Sequence, residues 1–365
     1  MIENVVTHLV SLPHVKPIIT PVEGKAFPHD AIDCAIVELT DSSGHVGIGV
    51  GWTTGIAKAH VIRTMADTLA PFVKGTDPMM SEQTYERLWK HTNALGHAGV
   101  SLIAMAAYDL ALWDLRGKIC GASVAQLLGG AHSELPAYAS GLFLSNSIEE
   151  IVAEVGGYLE QGFRAIKMRV GRPKLSEDLE RIEAVRAAIG DDVKLMVDAA
   201  QAWDTPAAVK AVRAFERFDL TWIEDPVPFD NVDGLVACRG ITGTPITAGE
   251  KLATRFAFRD LIERNAVDIL MPDVQKVGGV LEWMRVAALA TAWNKPVVGH
   301  AMPEINIHLM GATTHCLYVE YMSWWSKLFT GTLSMSPEGM VSVPTSPGFG
   351  VALRPEAIDE FTVRM

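Results

Sequence analysis

Three apolar runs end abruptly in a carboxylate, and they do so at one even interval. Leu195-Met196-Val197 closes on Asp198, Trp222-Ile223 on Glu224, and Ile246-Thr247-Ala248-Gly249 on Glu250. Short apolar runs repeated at βα-unit spacing read as buried parallel strands. The three acids are therefore expected at the C-terminal tips of successive strands. Carboxylates gathered there repel one another unless a cation lies among them. Oxygen donors without Cys or His select Mg²⁺, or Mn²⁺, over zinc. One acid after one strand is more often a helix cap, but Glu caps poorly, and the regular repeat points to a metal.

Other chemistry-bearing residues fall on neighbouring strand ends. Lys167 and Arg169 alternate around Met168, so both face one side of a strand. Two cations inside the apolar frame of Ala165, Ile166 and Val170 would attract an anionic substrate. Asp273 follows one strand and His300 ends the next, a pairing in which the carboxylate holds the imidazole as a general base. Glu320 ends Tyr318-Val319-Glu320, where it would hydrogen-bond a substrate oxygen if protonated. His308 and His315 read as structural, on one helix. Trp324 and Trp325 would line a pocket or cover a rim. No nucleophile elbow, phosphate loop or zinc spacing is present.

These residues need a frame. Strand patterns at 135–140, 165–170, 194–198, 221–224, 246–250, 268–271, 296–299 and 317–320 alternate with helical stretches at 147–161, 175–189, 206–218, 230–239, 255–264, 280–293 and 304–315. Eight such strands predict a (β/α) barrel, with its site at the strand C-terminal ends. A doubly wound sheet would open only one crevice. Ahead of the barrel lie a β-rich stretch to about residue 50 and helices at 57–73, 81–89 and 99–115, the second with Ser81 as its cap. Gly44, Gly47, Gly49 and Gly51 follow a hairpin turn and open no helix, which excludes a dinucleotide fingerprint. Residues 14–29, rich in Pro and Gly, read as a long loop of the kind that serves as a lid. The expected division is an α+β capping domain at 1–127, a barrel at 128–330, and a segment at 331–365 returning to the cap.

Bulk properties narrow the classes of partner. The 365 residues carry a formal net charge of −12 with no basic face, which argues against nucleic acid. Mean hydropathy is +0.19, enough for a sizeable core, but no apolar run has membrane-span length. Four scattered cysteines without a C-x-x-C, and a first segment lacking signal-peptide character, predict a cytoplasmic protein with reduced thiols.

The motifs Arg164-Ala-Ile-Lys-Met-Arg-Val-Gly171, Met196-Val-Asp198, Trp222-Ile-Glu-Asp-Pro226, Gly249-Glu250, Met271-Pro-Asp-Val-Gln-Lys-Val-Gly-Gly279, His300 and Glu320, in this order, resemble the enolase superfamily, specifically its mandelate racemase group. The resemblance spans the chain. It implies a (β/α)7β-type barrel with an α+β cap, Mg²⁺ on Asp198, Glu224 and Glu250, an Asp273–His300 dyad, and Lys167, Glu320 and Ser140 around a substrate carboxylate. The 14–29 stretch, which includes His29, and the segment around Trp52 resemble the specificity loops of the cap. Homo-oligomers, often octamers, are common in the group.

Two positions depart from the group's pattern. Its racemases place a second lysine base where this chain has Arg169, and a guanidinium stays protonated. Ala200 stands where relatives often have a polar residue. A one-base route follows: His300 removes the α-proton of a sugar acid and a β-hydroxyl is expelled, giving a 2-keto-3-deoxy acid. The alternatives are a racemase, epimerase or cycloisomerase, favoured by apolar Val15, Ile18, Ile19 and Val22, and a non-enzymatic binding protein, whose mark would be absence of Mg²⁺ affinity.

Overall fold

Alternation along each short parallel strand decides what fills the barrel and what faces its helices. In Ala165–Arg169, Ile166 and Met168 point outward into the main core, while Ala165 packs inside with Tyr138, Met196, Trp222, Ile269, Met271 and Val298. Lys167 and Arg169 continue the inward row above this apolar plug. The plug closes the bottom of the barrel and leaves its upper end to polar side chains.

The computed structural model describes residues 1–22, 25–331 and 333–364. In chain order the cap consists of β1 (Ile2–Val22), β2 (Lys25–Asp41), β3 (Val46–Thr53), α1 (Ile56–Val73), α2 (Ser81–Thr92), α3 (Val100–Cys120) and α4 (Val124–Leu127). The barrel continues with β4 (Glu134–Gly141), α5 (Ile148–Glu160), β5 (Ala165–Arg169), α6 (Leu175–Ile189), β6 (Lys194–Asp198), α7 (Thr205–Phe215), β7 (Ile223–Glu224), α8 (Val232–Arg239), β8 (Ile246–Ala248), α9 (Thr254–Glu263), β9 (Ile269–Leu270), α10 (Val274–Val277), α11 (Val280–Ala292), α12 (Pro303–Gly311) and β10 (Val319–Tyr321). The tail adds β11 (Phe329–Thr330), β12 (Met340–Ser342), β13 (Ala352–Leu353) and α13 (Pro355–Phe361).

Strands β4 to β9 pair in parallel in sequence order, and β10 returns beside β4. The strand expected at 296–299 is reduced to isolated bridges, Leu270 with Val297 and Val297 with Cys316, which carry the closure. Pro296 stands at the first residue of this short segment, where a missing N–H is tolerated, and its carbonyl accepts from Leu270 N–H at 3.0 Å,. The helices start on their own polar signals. Ser147 and Glu150 form a reciprocal capping box on α5, and Asp204 caps α7,. Ser81 does not cap α2; the cap is Met80, and buried Ser81 accepts from Arg116 instead. His315 lies beyond α12, which ends at Gly311.

The 14–29 stretch is not a loop. β1 and β2 form an antiparallel hairpin through it, paired from Ile18↔His29 to Val22↔Lys25, with an irregularity between Pro13 and Ile18. β3 pairs only with Asp33 to Thr40 of β2, so both arms of the distal ribbon have an outward edge where proline is tolerated. Glu23 and Gly24 lie outside the described residues, as does the side chain of Val22. The closely spaced glycines of β3 serve packing: a Cβ at Gly47 or Gly49 would overlap the Ala111 or Ala107 carbonyl of α3.

Buried polar pairs dock the cap on the barrel. Asp109 of α3 accepts from the Leu281 N–H of α11 at 3.1 Å. Gln275 accepts from the Trp52 N–H at 2.6 Å and donates to the Trp52 carbonyl at 3.1 Å, like one more step of the sheet. The tail first pairs β12 with barrel strand β4, then reaches the cap, where Phe349 N–H donates to Asp114 and Val363 N–H to the Leu9 carbonyl.

Candidate active site and metal centre

Parallel register sets the polar layer above the plug. Ser140 lies beside Lys167, Arg169 beside Asp198, and Asp198 beside Glu224. Glu250 follows β8 by way of Gly249, whose φ of 135° and close approach to Phe258 admit only glycine,. Ligand oxygens of Asp198, Glu224 and Glu250 all lie within 4.8 Å of one another, and all three residues are buried.

The backbone around these tips is strained. Leu142, Ala200, Gln201, Asp225, Ala301 and Met302 all have φ between 41° and 67°. Each sits one to three residues past Gly141, Asp198, Glu224 or Gly299. Non-glycine residues in this region cost about 1–3 kcal/mol each and persist where surrounding structure holds them. One such hold is Asn306, which donates to the carbonyls of His300 and Ala301.

Cations balance the acids. Lys167 Nζ, fully buried, donates to Glu224 at 2.8 and 3.0 Å, and lies 2.8 Å from Glu320 and 3.5 Å from Asp198. Arg169 ion-pairs with Asp198, and Lys251 with Glu250. The Trp222 indole N–H donates to Glu224 Oε2 at 3.2 Å, fixing that carboxylate from below. Three oxygen donors from three rigid strand ends, one further oriented by an indole, fit a hard divalent cation.

The dyad forms as expected. His300 Nδ1 lies 2.8 Å from Asp273 Oδ2, while Asp273 Oδ1 accepts the backbone N–H groups of Gln275 and Lys276 and so caps α10. The carboxylate is locked by three contacts, and it locks the ring. His300 Nε2 lies 2.8 Å from Glu250 Oε2. Burial works to strip the imidazole of its proton, but the Glu250 charge and the bonds to Asp273 and Glu250 outweigh it, raising the pKa to about 10.

Glu320 joins the same charge network. Burial favours its protonated form, yet the charges of Lys167, His300 and Arg169 overcome this and lower its pKa to about 2. It is a carboxylate here, accepting the Ala301 N–H at 2.6 Å. Ser140 Oγ is buried without a hydrogen-bond partner, next to Lys167 in register.

A cavity of about 330 Å³ opens above this layer, between barrel and cap. Glu250, His300 and Arg169 line its lower end; Trp52, His29, Ile18, Ile32 and Trp324 line the cap side. Asp198, Glu224, Lys167, Ser140, Asp273 and Glu320 are not among the lining residues and form the layer beneath. Trp52 packs 6.3 Å from the His300 ring centroid. Trp325 is fully buried behind Trp52. His308 is structural: its ring bridges Ala125 N–H and the Phe349 carbonyl. Four contributors escaped the sequence reading: Trp222, Lys251, Gln275 and Lys276. Lys251 and Lys276 stand one and three residues past Glu250 and Asp273, a proximity that was a usable signal.

Known proteins share this architecture. Residues 9–129 match the family model described as mandelate racemase / muconate lactonizing enzyme, N-terminal domain, and residues 150–357 match that described as enolase C-terminal domain-like. The chain belongs to the mandelate racemase group of the enolase superfamily. It is an enzyme; its acid triad could hold a metal ion, and similar structures are solved with bound magnesium. It is 32% identical, over the whole of both chains, to the 3,6-anhydro-alpha-L-galactonate cycloisomerase of Streptomyces coelicolor. It is 31% identical to the L-talarate/galactarate dehydratase of Salmonella typhimurium, over 93% of this chain and 87% of that one. The structure of L-talarate dehydratase from Polaromonas, complexed with Mg and L-glucarate, superposes with a TM-score of 0.92 at 33% identity, over 99% and 96% of the two chains. Among the described residues no helix is long and apolar enough to cross a membrane.

Proposed function

We propose that the enzyme abstracts the proton α to the carboxylate of a sugar acid and then eliminates the β-hydroxyl as water, yielding a 2-keto-3-deoxy acid. The observation that carries this reading is the imidazole of His300, held by Asp273 beside the acid triad, with an ion-paired arginine at the position of a second base.

Asp198, Glu224 and Glu250 would hold Mg²⁺, which supplies Lewis-acid charge against the carboxylate where enediolate charge develops. Lys167 places a buried ammonium at that same end, and Ser140 Oγ is free to donate to a carboxylate oxygen. His300 Nε2 takes the α-proton once its contact with Glu250 gives way; with Glu250 committed elsewhere, the imidazole loses the charge that keeps it protonated. Asp273 holds the ring throughout and stabilises the imidazolium that forms. The intermediate then expels the β-oxygen, and the proton on His300 is available to it on the same face. Arg169, always protonated, binds oxygen and takes no proton. Glu320, anchored by Lys167 and the Ala301 N–H, braces the anionic end of the layer.

Residues 1–127 act as the cap, 128–330 as the catalytic barrel and 331–365 as a strap across both, in a cytoplasmic homo-oligomer acting on a small carboxylate. Trp52 and His29 contact the substrate from the cap.

One observation favours a second reading. The cap side of the cavity sets Ile18, Ile19, Ile32 and Trp52 beside His14, Thr20, His29, Thr53 and Thr54, and its apolar part suits a less hydroxylated cyclic sugar acid. Elimination of a ring ether oxygen is the same chemistry with a tethered leaving group, and makes the enzyme a cycloisomerase. Incubation of sugar acids and their anhydro forms with Mg²⁺, followed by α-keto-acid detection and mass spectrometry, separates the two. Loss of one water is expected; a keto acid of unchanged mass supports ring opening, and no keto acid from any substrate overturns both.

A further inference from the structure

One cation of the cavity makes no ion pair within 4.0 Å among the described residues. Arg169 pairs with Asp198, Lys251 with Glu250, and His300 with both Glu250 and Asp273. Lys276 also lines the cavity, in the last turn of α10. Its ammonium has no carboxylate oxygen within 4.0 Å and no hydrogen-bond partner among the described residues. It lies instead 4.6 Å from the centroid of the Trp52 ring. A cation–π contact offsets only part of the cost of desolvating an ammonium, and burial lowers the pKa of Lys276 despite the nearby charge of Asp273.

The wall behind it is rigid. Gln275, fully buried, clamps both backbone polar groups of Trp52, and the indole N–H of Trp52 has no partner of its own. Lys276 lines the cavity together with His300, whereas Lys167 and Ser140, which would take the reacting carboxylate, lie in the layer beneath. A substrate anchored below and threaded past His300 brings its far end to Lys276.

We propose that Lys276 receives a second anionic group of the substrate, which makes the enzyme selective for dicarboxylic sugar acids over monocarboxylic ones. This inference rests on the α-proton reading above and adds the substrate class to it. A lysine that merely staples Trp52 in place would not distinguish the two classes.

The test uses matched pairs that differ only at the far carbon: galactarate with galactonate, and glucarate with gluconate. Loss of the α-proton is followed by proton NMR in D₂O with Mg²⁺ for the wild type, Lys276→Met and Lys276→Arg, with calorimetric binding of each acid alongside. The wild type is expected to favour one diacid over its monoacid partner. Lys276→Met should raise KM and Kd for that diacid about 10- to 100-fold more than for its monoacid partner, and keep the wild-type Mg²⁺ affinity. Lys276→Arg should retain most of the preference. Monoacids handled as well as diacids, or an equal loss on both in Lys276→Met, would overturn the proposal. Should Lys276→Met not fold, the wild-type preference and Lys276→Arg decide it. A wild type that exchanges the α-proton of no acid refutes the functional reading itself and this inference with it.

Discussion

On the floor of the cavity Lys167, Asp198, Glu224 and Glu320 are charged and almost wholly buried, whereas on the cap wall Ile18, Ile32 and Trp52 are apolar. The floor sits on strand ends whose following residues take strained left-handed backbone, while the cap side belongs to a two-stranded ribbon with free edges. Buried charges weaken a fold unless each is countered. The floor is therefore a place where the barrel gives up stability to hold charge where a reaction needs it. The cap wall contributes area and shape. The seam between them is polar: Gln275 clamps Trp52, His308 bridges Ala125 and Phe349, Asp109 accepts from Leu281, and Arg285 ion-pairs with Glu82.

The contrast can be attacked from the floor outward. His300→Asn keeps the contact to Asp273 but removes the base, and should slow α-proton exchange by about 10²–10⁴-fold, with little change in substrate binding by calorimetry. Lys167→Met leaves Glu224 and Glu320 uncompensated and should cost about 3–5 kcal/mol in urea unfolding; a smaller loss would mean that the floor is not held by opposing charge. Trp222→Phe removes only the indole donor to Glu224, and Mg²⁺ titration should show affinity weakened about 10- to 100-fold.

At the seam the effect is one of pH. Burial holds the His308 pKa at about 4, below its ordinary 6.5. The unfolded chain thus binds a proton that the folded one refuses as pH falls from 6.5 towards 4, and stability drops across that window. Between pH 7 and 5 the wild type should lose about 2 kcal/mol more than His308→Asn, since other groups titrate alike in both. On the cap wall, Ile18→Ala should change KM by about 10-fold or less and kcat hardly at all. A kcat effect matching that of a floor substitution would dissolve the distinction between the two regions.

The same contrast governs what the amino-acid sequence disclosed. Asp198, Glu224, Glu250 and the pair Asp273 and His300 stand out because each ends an apolar run, and a charge at such a place has few structural uses. Their convergence follows from barrel geometry, so the site was legible along with the fold. The 14–29 ribbon was not, because Pro17, Pro21 and Pro28 read as loop residues, and only the pairing of β1 with β2 beyond the end of β3 shows a ribbon with outward edges that tolerate proline,. The strand at 296–299 was legible in its place, though it is shorter than its apolar pattern suggested and bridges its neighbours only at Val297. The Lys167 charge beside Glu320 was not legible, since it appears only when β5 and β10 take their places on either side of β4. Trp222 and Lys276 look like core and surface residues in sequence, and acquire a role only through what they touch.

The central claim is that one imidazole, in front of a magnesium-binding carboxylate triad, moves the α-proton. The most direct measurement is deuterium incorporation from D₂O at the α-carbon of sugar acids, run with Mg²⁺, with the ion chelated, and with His300→Asn. The account predicts exchange and elimination only in the wild type with Mg²⁺. Exchange that persists in His300→Asn, or that ignores chelation, would contradict it.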